Sequence, residues 1–297
     1  QDWELSGREV IAPQGGEIYA LTRGTDKLYF FQERRLNYSL EAKSDTLLVE
    51  YDPETDTRRV LKTFYRSMDQ TSLQVVGDKL YYNRPTSRQG YPNVRNSGRG
   101  QINQLHSYDL ATNRTQTIMK ANFTDFAVAG EDKIIYVREN PDQFGSEIWQ
   151  YQNQEREKLG EVSQSIAELE FYEDSLIVVS KPQVGTWNIN QLDLNQFSLT
   201  PVISTAAAAQ RVRVIGDKLY FNANPGGSHA VYAYDLTSGQ LNKLTNGSYA
   251  GQGLKYGSDL YFVGLSAEGQ TIRSCPLKPE RAQLPDFKPE GVVDFAS

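Results

Sequence analysis

The sequence is nearly empty of the residues that build disulfide frameworks and metal clusters. It holds one cysteine, Cys275, which excludes an internal disulfide and any multi-cysteine zinc site. Its two histidines, His106 and His229, leave little for a His-built metal centre, so neither a metal nor another cofactor is expected. No apolar run approaches the ~18 residues that a membrane helix needs. No segment sustains the 3.6-residue apolar period of a helix. Basic residues are outnumbered, with 31 Lys and Arg against 37 Asp and Glu, and the net charge of −6 argues against nucleic acid as a partner. Catalytic motifs are missing too. There is no Walker A loop, no Gly-x-Gly-x-x-Gly, no His-Glu-x-x-His, and no Gly-x-Ser-x-Gly elbow. A Ser-His-Asp triad would have to use His106 or His229.

What the chain does have is aromatics and a repeat. Aromatic residues make up 11% of the 297 positions, which a disordered chain would not show. One phrase recurs six times: TDKLYFF at 25–31, GDKLYYN at 77–83, EDKIIYV at 131–137, EDSLIVV at 173–179, GDKLYFN at 216–222 and GSDLYFV at 257–263. Its aliphatic anchors, Leu28, Leu80, Ile134, Leu176, Leu219 and Leu260, stand 52, 54, 42, 43 and 41 residues apart. Periods of ~40–55 residues belong to propeller blades rather than helical repeats.

A second phrase follows the first in most units, as in HSYDLATNRTQTIM (106–119) and YAYDLTSGQLNKLT (232–245). Here an alternating strand meets a cluster of Asp, Thr, Asn and Gly and then a second strand. Asp and Asn suit such turns because their side chains bond the nearby backbone. Each unit therefore reads as four strands, A to D. In the fifth unit, Gly216-Asp217 makes a primed two-residue hairpin turn between A and B. Alternation along KLYFN puts Leu and Phe on one face and Tyr on the other.

The expected fold is all-β, a six-bladed β-propeller of four-stranded antiparallel blades formed by residues 1–297 as one domain. Closure has two readings. The N-terminal stretch 3–12 could clasp the last blade, which is favoured, or ERAQLPDF (280–287) could supply its fourth strand. The tail 286–297 lies outside the ring. Gln1 fits either a processed exported chain or a cut within a longer protein.

The paired phrases GDKLYF and YDLTSGQLNKLT resemble the TolB-like six-bladed propellers of bacterial exported proteins. They also resemble bacterial propellers of unknown function related to the low-density-lipoprotein-receptor class. The likeness spans about residues 12–285. It implies a periplasmic or otherwise extracytoplasmic, bacterial protein that binds other proteins. The YWTD motif of the receptor class is absent, as are the sialidase box and the WD-repeat pattern, so the ligands of those classes do not carry over.

If strand A starts on the upper face near the axis, the A–B and C–D turns lie below, and the B–C loops and D–A connections lie above. Functional loops tend to be the irregular ones on a rigid scaffold. Two long upper loops belong to adjacent blades, residues 32–44 and 84–101. The second carries Arg84, Arg88, Arg95 and Arg99 with Tyr91 among them and no acid. Guanidinium forks bind carboxylates and phosphates in pairs, so this loop suits an anionic protein or peptide. A solvated loop is the plainer reading.

The starts of the A strands give a polar ring at the channel mouth: Glu17, Gln70, Asp125, Ser165, Gln210 and Gln252. Such a ring either lines a wet channel or holds a small ligand. Glu168 and Glu170 share one strand face and Arg211 and Arg213 another, so neighbouring blades could pair them. Trp187, Phe144 and Tyr91, in upper loops, are candidates for stacking sugars. Two functions stay open. One is a non-enzymatic extracytoplasmic propeller that binds a protein or peptide, with Arg84, Arg88, Tyr91, Arg95, Arg99 and Trp187 as contacts. The other is a carbohydrate-binding or polysaccharide-acting propeller that uses mouth acids. The chain could also be one domain of a larger exported protein.

Overall fold

The computed structural model describes residues 7–36, 44–65, 68, 72–87, 101–130, 133–246 and 249–285. Six antiparallel sheets follow one another along the chain, and each begins at the axis. The innermost strands are Gly15–Arg23, Leu73–Val76, Asp125–Ala129, Ser165–Tyr172, Gln210–Ile215 and Gly253–Tyr256. Each is followed by strands that pair outward in sequence order, which makes a six-bladed β-propeller of four-stranded blades. Among the described residues the one helical element is a 3-10 turn, Pro225–Gly227. No helix among them is long and apolar enough to cross a membrane.

The period-2 pattern explains how the ring is held. Successive residues of a strand point to opposite faces, and in a propeller those faces meet different neighbours. Leu219 and Phe221 pack between blades four and five, whereas Tyr220 between them packs against blade six. Leu28 and Phe30 face blade six, and Tyr29 and Phe31 face blade two. The core is thus six apolar wedges, one at each blade junction. All six repeat anchors are at most 2% exposed. Aromatic rings stitch the first junction, where Phe31 meets Tyr82 edge to face at 5.9 Å.

The A–B hairpins run as the sequence suggests. Ile215 pairs with Lys218 around Gly216-Asp217, and Gly216 has φ +57°, which a glycine supplies without steric cost. The C–D turns are built on an aspartate. Asp235 Oδ1 accepts the N–H groups of Thr237 and Ser238, and Asp109 and Asp52 play the same part in blades two and one.

In the sixth blade the outer strand is Arg8–Ile11, paired antiparallel with Gly269–Pro276. Residues 280–285, the described part of the other candidate 280–287, do not fill that place. Glu280 and Arg281 pair with Lys243 and Asn242 and add a fifth strand to blade five. The chain leaves the sixth blade beside that edge, and Ala282 N–H extends the pairing to Leu241 O.

Candidate functional site

The channel mouth is built from the inner strands, and its polar residues work between blades. Ser72, Asp125, Glu168, Arg211 and Gln252 each stand five residues ahead of the A–B turn residues Gly77, Gly130, Glu173, Gly216 and Gly257. At three of these equivalent stations the side chain accepts a backbone N–H from the next blade. Asp125 Oδ2 takes Leu169 N–H at 2.9 Å, Glu168 Oε2 takes Val212 N–H at 2.9 Å, and Gln252 Oε1 takes Leu21 N–H at 2.7 Å. Ser72 Oγ donates to the other oxygen of Asp125. Gln74, two residues along, accepts Val128 N–H and donates to Phe126 O. Together these bonds form a belt that ties neighbouring inner strands.

Burial shapes the charges in this belt. Asp125 is walled off from water, which pushes its carboxyl up to about 7 against the pull of Ser72 and the Leu169 amide. Burial likewise pushes Glu170 up to about 7, opposed by the Arg213 guanidinium. Arg213 reaches over the axis. Its Nη1 bonds Glu170 at 2.7 Å, and its Nε bonds Leu21 O of blade one at 3.0 Å. This pair ties blade five to blades four and one at once. Below it lies a cavity of about 200 Å³ lined by Arg23, Gln74, Glu170 and Arg213 with apolar neighbours.

The sequence-derived candidates among the described residues fall in different settings. Asp125 and Gln252 are buried in the belt. Gln210 is half-buried, Ser165 is half-buried at the head of its strand, and Glu17 is exposed on the inner strand of blade one. Gln70 lies outside the described residues, as do Arg88, Tyr91, Arg95 and Arg99. Arg84 is half-buried on the strand Lys79–Ser87 and stands close enough to oppose protonation of His106. His106 itself is buried in strand C of blade two, stacked on Tyr82, and burial lowers it to about 4. Trp187 packs partly buried against the wedge between blades four and five, and Phe144 is 42% exposed. Cys275 is a half-buried thiol, raised by burial.

The expected pairing of blades four and five holds for Glu170 and Arg213. It does not hold for Arg211, because the inner strand of blade five carries a bulge between Gln210 and Arg213. Arg211 sits at φ +57° within it, and the inserted residue breaks the two-residue alternation. The bulge sends the backbone N–H of Arg211 to Glu168 Oε1 and turns its side chain into a second cavity, of about 160 Å³. Gln210, Arg211, Asn222, Asn224, His229 and Tyr249 line this cavity, on the upper face between blades five and six. The repeat phrase marks Asn222 through its counterpart Asn83. Nothing in the sequence marks Asn224, or places His229 beside Tyr249, with ring centroids 5.5 Å apart.

With six blades and their belt in place, the fold can be set beside known structures. This is the fold of TolB and of peptidase propellers. TolB from Acinetobacter baumannii matches with a TM-score of 0.56 at 13% identity over 86% of this chain and 65% of that one. An acylaminoacyl peptidase from Pyrococcus horikoshii matches at 0.57 and 11%, over 89% of this chain and 52% of that one. The β-propeller domain of the Trilobed protease from Pyrococcus furiosus matches at 0.56 and 10%, over 89% and 96%. The chain therefore spans about two thirds of TolB and about half of the Pyrococcus horikoshii peptidase. At these identities the likeness is one of fold. No family model matches the chain, and no curated protein sequence does.

Proposed function

We propose that this chain is an extracytoplasmic propeller that binds a protein or peptide through the loops of its upper face and catalyses no reaction. The observation that carries the reading is the fate of the mouth acids other than the exposed Glu17. Glycoside chemistry needs two carboxyl groups free to face a substrate. Here Asp125, Glu168 and Glu170 from blades three and four are committed to Ser72, to backbone N–H groups and to Arg213. Trp187 packs on the wedge between blades four and five, which lends the carbohydrate reading little support. The TolB likeness of fold agrees with a protein-binding, exported chain. Residues 84–87 and 101 of the expected loop 84–101 belong to the paired strands Lys79–Ser87 and Gln101–Asp109, so the partner surface includes its remaining residues 88–100, whose Arg88, Arg95 and Arg99 suit an acidic segment.

The test is capture of Asp/Glu-rich peptides by the immobilised chain, with and without replacement of Arg88, Arg95 and Arg99 by Ala. The triple variant should melt as the parent does and lose capture by roughly tenfold or more, since charge-assisted bonds dominate such contacts. Unchanged capture would remove the loop from the binding surface.

A further inference from the structure

One station of the belt is occupied by a cation. At the station where Asp125, Glu168 and Gln252 accept an N–H from the next blade, blade five carries Arg211. A guanidinium has no acceptor, so it cannot make that bond to blade six. The junction is closed instead by Asn222, whose Nδ2 donates to Ala250 O at 2.7 Å and Gly251 O at 2.9 Å. Ala250 N–H returns a bond to His229 O. The cavity of about 160 Å³ is bordered by these groups, so its walls are fixed before any ligand arrives.

Part of its lining is bonded, with Asn224 Nδ2 facing His229 Nε2 at 3.2 Å, and part of it is free. Among the described residues, the Arg211 guanidinium has no hydrogen-bond partner. Tyr249 OH accepts from Gln270 Nε2 at 3.4 Å, which leaves its own proton to donate. Asn222 Nδ2 faces three carbonyls, which fixes Oδ1 as the other end of the amide. That Oδ1 is buried without a partner, and so is Asn224 Oδ1. In blade two the equivalent Asn83 Oδ1 accepts Ser72 N–H, whereas in blade five the bulge diverts the Arg211 N–H to Glu168. The backbone is strained at the same place. Ala208 at φ +50° and Arg211 at φ +57° flank Gln210, and neither residue type enters that region readily. Ala20 holds the equivalent station in blade one with φ +57°, so blades one and five share this conformation and the guanidinium is peculiar to blade five.

We infer that this pocket binds a carboxylate with a neighbouring N–H, the chemistry shared by an amino acid and the C-terminal residue of a peptide. Arg211 forks the carboxylate, with Tyr249 OH as a further donor. The ligand N–H goes to the unpaired Asn222 and Asn224 oxygens, which otherwise bear the cost of an unmet bond. The volume is that of roughly five waters, room for one small residue. The inference rests on the upper-face binding reading and narrows it to one pocket.

The full chain is titrated with N-acetylalanine, alanine, propionate and N-acetylalaninamide and followed by proton–nitrogen correlation NMR. N-acetylalanine or alanine should shift the amides of Ala208, Arg211 and Tyr249, and bind about tenfold more tightly than propionate, which lacks the N–H, or the amide, which lacks the carboxylate. The order of the first two probes separates a peptide end from a free amino acid. Arg211→Gln should weaken binding by about tenfold, with Arg211→Lys restoring part of it. Asn224→Ala, on a loop, tests the same site if Arg211→Gln fails to fold. The assignment is overturned if no probe binds, if propionate and the amide bind equally well, or if both folded variants bind as the parent does. Should the probes fail while acidic-peptide capture through residues 88–100 persists, the pocket assignment falls and the wider binding reading stands. Should capture fail while the probes bind, the reverse holds.

Discussion

At the scale of single residues, the repeat shows where one copy departs from the others. The first central residue of the A–B turn is Gly77, Gly216 or Gly257 in blades two, five and six, with φ of +56°, +57° and +57°. Blade four has Glu173 there, exposed and at φ +52°. An L-residue in that region costs ~1–2 kcal/mol per residue by Cβ crowding. Glycine returns part of this through the freedom of the unfolded chain, ~0.4–1 kcal/mol. Glu173→Gly should therefore stabilise the protein by roughly 0.5–1 kcal/mol. Its melting temperature should rise, whereas Glu173→Val should lower it, and a drop on Glu173→Gly would show that the turn is held by something other than φ. This deviation is readable by aligning the six phrases. The belt stations also keep one offset, five residues ahead of the turn, but the direction of the Arg211 side chain is not readable, because the bulge between Gln210 and Arg213 breaks the two-residue alternation. Counting from the apparent strand starts puts the mouth at Ser165, Gln210 and Gln70, while the structure uses Glu168, Arg211 and Ser72.

At the scale of strands, each blade is legible because every copy carries both a turn and an apolar strand. Which strand closes the ring is less so, since an edge strand shows little beyond alternation. Arg8–Ile11 does so with little length. Ile11 is buried against Leu254, Val263 and Ile272, Thr271 Oγ1 donates to Ile11 O at 2.7 Å, and Gln32 Nε2 bonds Ala12 O at 2.9 Å. A large-to-small change at such a site loses transfer energy and leaves a cavity. Ile11→Ala should cost about 2–4 kcal/mol, read as a lower urea midpoint with the same slope. A change in slope as well would mean that the first and last blades separate before the rest unfolds. A loss below ~1 kcal/mol would mean that the short strand contributes little to closure. The fifth strand on blade five was beyond sequence reasoning because Glu280–Arg281 has only two paired residues and no apolar pattern.

At the scale of the whole ring, the belt makes stability depend on pH in two opposite senses. Burial holds Asp125 and Glu170 up to about 7, well above the ordinary 3.8 and 4.5. Between those values the folded chain keeps protons that the unfolded chain has released, so their contribution is full below about pH 4 and is lost as pH rises through 7. Glu147 works the other way. Burial would raise it, but Arg138, Trp149 and Lys158 bond it and hold it at about 2. Its contribution is present above pH 4.5 and is lost as pH falls towards 2. Stability should therefore peak on the acid side of neutrality and decline towards pH 8. Asp125→Asn keeps an acceptor for Leu169 N–H and removes the titration. Its melting temperature relative to the parent should rise steadily from pH 4 to pH 8, a swing of more than about 1 kcal/mol. A difference that stays flat across that range would mean that Asp125 is ionised in the folded chain throughout. The belt would then be held by a charged carboxylate rather than by one that shares a proton with its ring of blades.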